Sequence, residues 1–119
     1  MSFSPGDSVT LTVTAQTRTS GTVTLINNSK GKSVTKSITS PYALCEQDAE
    51  WIVEDFEEGS GLVPFADFGT VIFTNAEAIT NNGTVVYPSE GTVIEQASAS
   101  GQVITKVSTS ESSISISYV

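Results

Sequence analysis

The alternation of aliphatic residues with Ser or Thr is the feature that most constrains the fold of this chain. In residues 8–17, every odd position from Val9 to Ala15 is aliphatic, and the even positions are Thr, Ser or Gln. A period of two is that of a β-strand with one buried face. No window of the chain shows a sustained helical period. The sequence therefore predicts an all-β protein.

Short segments of this kind recur between turns that contain Gly, Pro or Asn. Residues 8–17 and 22–27 are predicted to form a hairpin. The further predicted strands are 33–39, 48–57, 70–74, 84–87, 92–97, 102–108 and 113–119. Residues 62–69 contain Pro64, which predicts a loop or an edge segment packed on the sheet. This many short, regularly spaced strands are typical of a β-sandwich or barrel, and we expect one domain spanning 1–119.

Residues 49–58 are the only stretch in which acidic, aromatic and aliphatic residues interleave. Read as a strand, the stretch divides its side chains between two faces. The mostly apolar face holds Ala49, Trp51, Val53 and Asp55. The other face holds Glu50, Ile52, Glu54 and Phe56. Strands disfavour a carboxylate at a central position such as that of Glu54, and partial burial is one way to make a carboxylate a general acid or base. The alternative, a solvated face with scattered acids, is common.

The charge of the chain argues against several partners. Thirteen acidic residues stand against five basic ones, for a formal charge of −8. We expect no nucleic acid partner, because such a chain repels phosphate backbones. No apolar run approaches the roughly 20 residues of a membrane span, so no membrane partner is expected. Residues 1–5 lack the features of a signal peptide.

One cysteine, Cys45, and the absence of histidine limit the chemistry. Neither a Ser-His-Asp or Cys-His catalytic site nor a Cys/His zinc site can be built without histidine, and we expect no metal and no cofactor. Cys45 is either a buried thiol or the partner of a cysteine on another segment. Two glycosylation patterns, which begin at Asn27 and Asn82, hint at a secretory origin.

Two motifs connect the chain with a known family. Residues 44–57 (LCEQDAEWIVEDFE) and 63–69 (VPFADFG) closely resemble the fungal glutamic peptidases, the eqolisins. Residues 5–15, 19–27 and 117–119 also fit, so the similarity covers essentially the whole chain in order. The resemblance implies an antiparallel β-sandwich similar to the concanavalin-like lectins, incomplete relative to the family. It also implies a secreted acid endopeptidase.

By this resemblance the catalytic glutamate is Glu54. Its expected roles are general base toward the attacking water and then proton donor to the leaving amine. We expect Glu50, Phe56 and Glu57 to bind substrate, although packing and a solvated edge are the alternatives for Phe56 and Glu57.

The family's catalytic glutamine polarises the scissile carbonyl and stabilises the oxyanion. It belongs to a segment upstream of the region that aligns with this chain. The glutamines of this chain lie in other contexts, at Gln16, Gln47, Gln96 and Gln102. One residue of a two-residue mechanism is therefore expected here.

Three function hypotheses follow. The chain is the Glu-bearing portion of an acid peptidase that acts on protein or peptide substrates, inactive or weak alone. In the second hypothesis the chain is a non-catalytic β-sandwich that binds peptide or carbohydrate. In the third it is a self-assembling structural domain. Open strand edges predict a partner, because natural proteins cover such edges. That partner is either a separate N-terminal fragment carrying the Gln or another copy in a homo-oligomer.

Overall fold

The computed structural model describes residues 1–59 and 61–119 of the chain. All of the described strand pairs are antiparallel, which confirms the predicted all-β fold class. The chain divides into two compact units, Met1–Asp48 and Ala49–Val119. In the described part of the chain, no helix has the length and apolarity needed to cross a membrane.

The first unit is built on one three-stranded sheet. Its strands are β1 (Val9–Thr17), β2 (Ser20–Asn27) and β3 (Lys32–Thr39), in the order β1-β2-β3. The predicted hairpin of β1 and β2 is confirmed, and its register shifts between Ala15 and Thr17. The predicted third strand is confirmed as well.

The two faces of this sheet differ as the alternation predicts. One row on the apolar face runs from Leu11 across Leu25 to Val34. The opposite face carries rows of hydroxyls, in which the side-chain oxygens of Thr24 and Thr35 lie 2.9 Å apart. Because side chains alternate with a period of two, the pairing register places most aliphatic side chains on one face and the hydroxyls on the other, with Ile26, between Thr10 and Ser33, as an exception.

A polar network closes one end of the first sheet around Asn27, which is fully buried. Its Nδ2 donates to Asp7 Oδ2 at 2.7 Å and to the Ser2 carbonyl at 3.3 Å. Its Oδ1 accepts from the backbone N–H of Lys30 at 3.0 Å. Lys30 Nζ also lies 3.0 Å from Asp7 Oδ2 and donates to Ser4 Oγ at 2.8 Å. The network ties the residues before β1 to the turn between β2 and β3.

The second unit contains one larger sheet and two short hairpins. Its elements in chain order are β4 (Glu57–Glu58), β5 (Gly61–Leu62), β6 (Thr70–Thr74), β7 (Ala78–Ile79), β8 (Val85–Val86), a 3-10 helix (Pro88–Glu90), β9 (Thr105–Ser110) and β10 (Ser113–Tyr118). β10 is the central strand of the larger sheet, in the order β6-β10-β9, while β4 pairs with β5 and β7 with β8. The predicted strands 70–74 and 113–119 are thereby confirmed within one residue.

The core of the second unit lies on one face of β10. Ile114 and Ile116 are buried there together with Ala76. The side chains packed against this cluster are those of Trp51, Val53, Phe68, Phe73 and Val107. Serines occupy the alternate positions of β10 and fall on its other face. Ile114 and Ile116 of β10 therefore connect the larger sheet to the segments that contain Trp51, Val53 and Phe68.

Of residues 62–69, predicted to be a loop or an edge segment packed on the sheet, Leu62 belongs to β5, while residues 63–69 form no strand and pack on the larger sheet. The rings of Phe65 and Phe68 meet edge to face with centroids 5.6 Å apart. Both rings also lie 6.2 Å from that of Tyr118 at the end of β10. This three-ring cluster fixes the loop to the central strand, since such pairs are favourable beyond their burial.

Two predicted strands are wrong. In residues 48–57 only Glu57 belongs to a strand, as part of the short β4, and residues 92–97 contain no strand beyond an isolated bridge from Ala97 to Val103. The strand predicted at 102–108 lies at Thr105–Ser110, and that at 84–87 is reduced to Val85–Val86. Alternation sets which side chains share a face, but a strand also needs a neighbour that pairs with its backbone. The backbone of Phe56 still accepts a hydrogen bond from the N–H of Val63 at 3.1 Å, next to the pairing of β4 with β5, but no described residue provides such a neighbour to 49–55.

Candidate functional site

A cavity of about 400 Å³ opens in the second unit. Its floor is the core-bearing face of the larger sheet, contributed by Thr105, Val107, Thr109, Ile114 and Ile116. Its walls are residues 49–55 on one side and residues between Pro88 and Gln96 on the other. Residues 49–55 and, in the second wall, residues 92–96 belong to segments that are predicted as strands but lack ladder partners. The walls of the cavity, unlike its floor, are therefore formed by backbone that does not belong to a sheet.

Glu54 lines this cavity with an exposed side chain. The side chains of Trp51, Val53 and Asp55 are half-buried, while those of Ile52 and Glu54 are exposed. Val53 packs against the core cluster. The predicted division into two faces is thus confirmed for residues 51–55, although the segment is not a paired strand, while Ala49 of the predicted apolar face is exposed. Burial of the apolar face leaves the carboxylate of Glu54 accessible to water and to a ligand.

The residues predicted to bind substrate are separated by the structure. Glu50 lines the cavity together with Glu54. Phe56, at 55% exposure, and Glu57, in β4, are not among its lining residues. Both lie beyond the point where the chain leaves the cavity wall and enters the short hairpin of β4 and β5. The carboxylates at the cavity are therefore those of Glu50, Glu54 and Asp55.

Gln96, which its sequence context sets apart from the family's catalytic glutamine, lines the same cavity as Glu54. Its backbone N–H donates to Thr105 Oγ1 at 2.7 Å, and its carbonyl accepts from the N–H of Ile104 at 2.9 Å. These bonds hold the half-buried Gln96 against the start of β9. No local motif signals this proximity, because Gln96 and Glu54 lie far apart in sequence.

Asp55 places a carboxylate oxygen in the interior. Its Oδ1 is buried and accepts no hydrogen bond from any residue that the structure describes. Asp55 follows Glu54 and falls on the mostly apolar face, where the alternation predicts it. A buried polar atom without a hydrogen-bond partner is costly. Asp55 is therefore a polar group of the cavity wall whose hydrogen-bonding capacity the described residues do not satisfy.

The chemistry available at the cavity follows from these groups. The carboxylate of Glu54 can accept a proton from water or donate one, and the exposed Ile94, at 80% exposure, and Val93 offer an apolar rim. Residues 1–59 and 61–119 contain no group of three or more side chains suited to hold a metal ion. The arrangement combines an acid or base with apolar surface, as ligand-binding pockets do.

The chain is similar in sequence to one family of peptidases over its whole length. The model of the Peptidase A4 family matches residues 1–118. Aspergillopepsin-2 of Aspergillus niger is 47% identical over 121 residues, and Scytalidopepsin B of Scytalidium lignicola is 38% identical over 127 residues. Both alignments include all of this chain but only 42% and 48% of those proteins. The chain thus spans less than half the length of these curated relatives.

The crystal structure of aspergilloglutamic peptidase from Aspergillus niger matches all of this chain with a TM-score of 0.81 and 46% identity, and the match includes 70% of that chain. This agreement confirms the fold class that the resemblance implies. The motifs around Glu54 and Phe65 lie within the matched residues. On both the sequence and the structural comparison, the chain belongs to the Peptidase A4 family, the glutamic peptidases or eqolisins.

Proposed function

We propose that this chain is the Glu-bearing portion of an acid glutamic endopeptidase, with Glu54 as its catalytic carboxylate. The observation that carries the proposal is the position of Glu54, exposed at the wall of a cavity while the residues on either side are half-buried. Glu54 removes a proton from the water that attacks the scissile carbonyl and then protonates the leaving amine. Membership of the peptidase family supports hydrolysis of peptide bonds in protein or peptide substrates as the reaction.

The second catalytic residue is proposed to be a glutamine outside this chain. The relatives are more than twice as long as the matched region, which leaves room for the family's Gln-bearing segment. Such a side-chain amide stabilises the oxyanion of the tetrahedral intermediate, and loss of one oxyanion donor typically lowers the rate by about 10²–10³. The chain alone is therefore proposed to be inactive or weak, and no cofactor is required.

The partner in this proposal is an N-terminal fragment that carries the Gln, or another copy of the chain. Support comes from the edges of the first sheet, because β1 and β3 each have a neighbour on one side only within the described residues. Val9, Leu11 and Val13 of β1 are 44–63% exposed. Unpaired edges with apolar side chains favour association. We also propose that the chain is secreted, as its family resemblance implies.

The experiment that tests this function measures cleavage of an acid-unfolded protein substrate by the chain alone and by the chain mixed with a Gln-bearing N-terminal fragment of a relative. We expect weak or no cleavage alone and a gain of at least 10²-fold in the mixture, as expected for an oxyanion donor. Glu54→Gln should abolish the gain. Glu77→Gln, a matched change at an exposed residue outside the cavity lining, should leave the gain unchanged.

Two results would contradict the proposal. Activity that survives Glu54→Gln would remove this carboxylate from the mechanism. A mixture that forms a complex but cleaves nothing would favour the non-catalytic alternative, a β-sandwich that binds peptide or carbohydrate. Direct binding measurements with a peptide and with a carbohydrate would then distinguish the two ligands. Light scattering on the chain alone tests self-association, and a monomer that ignores the fragment would remove both proposed partners.

A further inference from the structure

The two glycosylation patterns of this chain lie in opposite environments. In the first, Asn27-Asn28-Ser29, the amide of Asn27 is fully buried and its Nδ2 donates to Asp7 Oδ2 and to the Ser2 carbonyl. A glycan on this nitrogen would replace a hydrogen-bonding donor with a bulky group in a closed space. The folded chain therefore cannot carry a sugar at Asn27.

The second pattern, Asn82-Gly83-Thr84, forms the turn between β7 and β8, and all three residues are exposed. The Oδ1 of Asn82 accepts from the N–H of Thr84 at 3.2 Å and from the hydroxyl of Thr80. These bonds orient the amide so that Nδ2 is left without a hydrogen bond to any residue in the described part of the chain. The acceptor nitrogen thus points away from the groups that hold the turn.

The other two positions of this pattern are accessible as well. Gly83 adopts a φ of +85°, and a Cβ at this position would meet nothing within 4 Å. The backbone N–H of Thr84 donates to Thr80 Oγ1 at 3.0 Å, while its own hydroxyl makes no hydrogen bond within residues 1–59 and 61–119. The hydroxyl that the pattern requires two residues after the asparagine is therefore available for recognition.

We propose that Asn82 is an N-glycosylation site of this protein and that Asn27 remains unmodified. The donor is a lipid-pyrophosphate-linked oligosaccharide of the secretory pathway. The Nδ2 of Asn82 bonds to the anomeric carbon of the first N-acetylglucosamine, the bond from that carbon to the pyrophosphate oxygen breaks, and one amide proton is lost. The inference rests on the secretion proposed above.

The position of this site makes a glycan compatible with the cavity. None of residues 80–84 lines the cavity that contains Glu54. The turn is closed by its own hydrogen bonds, including that from Gly83 N–H to the Thr80 carbonyl at 2.8 Å. A sugar on Asn82 therefore leaves both the hairpin and the candidate active site intact, and it adds a solvated group beside the exposed Ile79 and Val85.

The test expresses the full chain behind a heterologous secretory leader in yeast, with a known glycoprotein in the same cells as a positive control. Intact mass and peptide mapping are measured before and after treatment with a peptide-N-glycosidase, which converts a glycosylated Asn to Asp. We expect this conversion at position 82 and not at position 27. Thr84→Ala should abolish the glycan and Thr84→Ser should retain it, because only the latter keeps a hydroxyl.

Asn82→Gln is the second variant, so that a folding defect in Thr84→Ala does not decide the result. The proposal is overturned if the wild-type chain lacks a glycan at Asn82 while the control protein is modified, or if folded, secreted chain carries one at Asn27. The heterologous leader makes this result independent of native secretion, and the readout does not require peptidase activity. A failure of the proposed peptidase function is thus distinguishable from a failure of this inference.

Discussion

Asn27 donates a hydrogen bond of 2.7 Å to the carboxylate of Asp7, across the end of the first sheet. The Asp7 side chain is 12% exposed, and the same oxygen lies 3.0 Å from Lys30 Nζ. It also accepts from the backbone N–H of Ser4 at 2.8 Å. One carboxylate oxygen is therefore shared by three donors from three places in the sequence. This arrangement attaches the N-terminal residues to the sheet without an apolar core.

Removal of the buried amide should weaken the first unit. Asn27→Ala removes the amide that donates to the Asp7 carboxylate and accepts from the backbone N–H of Lys30. Each of these two groups then loses one hydrogen bond. We expect the free energy of unfolding to fall by roughly 1–3 kcal/mol, the cost of unsatisfied polar groups. Urea denaturation of the wild type and the variant measures this difference in the free energy of unfolding. The matched control is Asn28→Ala, an exposed neighbour, which should change stability by less than about 0.5 kcal/mol; equal losses in the two variants would refute the role of burial.

The same network should make stability depend on pH. Hydrogen bonds from Asn27, the Lys30 ammonium and the Ser4 N–H, in that order, hold the pKa of Asp7 below its ordinary value of 3.8. A group whose pKa is lowered on folding stabilises the folded state above its unfolded pKa, and this contribution is lost as the pH falls through the folded pKa.

Asp7→Asn should therefore be less stable than the wild type above a pH of about 4, with a difference that shrinks in stronger acid. Urea unfolding at a series of pH values measures this difference. Glu111→Gln, at an exposed turn residue, serves as the control and should show no such change. A difference for Asp7→Asn that is constant down to the most acidic pH would contradict the assignment.

Gly21 is required by the close approach of β1. A Cβ at this position would lie 2.4 Å from the carbonyl oxygen of Thr14, which is backbone and cannot move aside cheaply. We expect Gly21→Ala to destabilise the chain by about 1–3 kcal/mol, as overpacking does. Thermal unfolding monitored by circular dichroism would measure the change. Gly61→Ala, where the added Cβ meets nothing within 4 Å, should be nearly neutral, and an equal effect at both sites would argue against a steric cause.

The core of the second unit should depend strongly on β10. Ile116 is 6% exposed and belongs to the buried cluster. Ile116→Ala should lower the free energy of unfolding by about 2–5 kcal/mol, because the lost contacts leave a void. Ile72 in β6 is 62% exposed on the other face of the same sheet, so Ile72→Ala should cost far less. If the two substitutions have similar effects in urea denaturation, the proposed core is wrong.

The β character of the chain, the faces of its strands and the candidate carboxylate Glu54 could all be predicted from the residues alone. The alternation in 8–17 and 113–119 is sufficient to predict the strands and their faces, because the period of a strand is set by its own backbone. The resemblance around Glu54 added the family and its reaction class. The same alternation in 49–56 predicted correctly that Trp51 and Val53 are half-buried and that Glu54 is exposed.

Which alternating segments become paired strands, and which distant residues share a cavity, depends instead on long-range contacts. Pairing requires a neighbour whose hydrogen-bonding groups match, and a local pattern carries no information about that neighbour. For the same reason no local pattern predicts that Gln96 lines the cavity of Glu54, or that Asn27 is buried while Asn82 is exposed. Those outcomes depend on contacts between residues far apart along the chain, which form only when the sheets assemble.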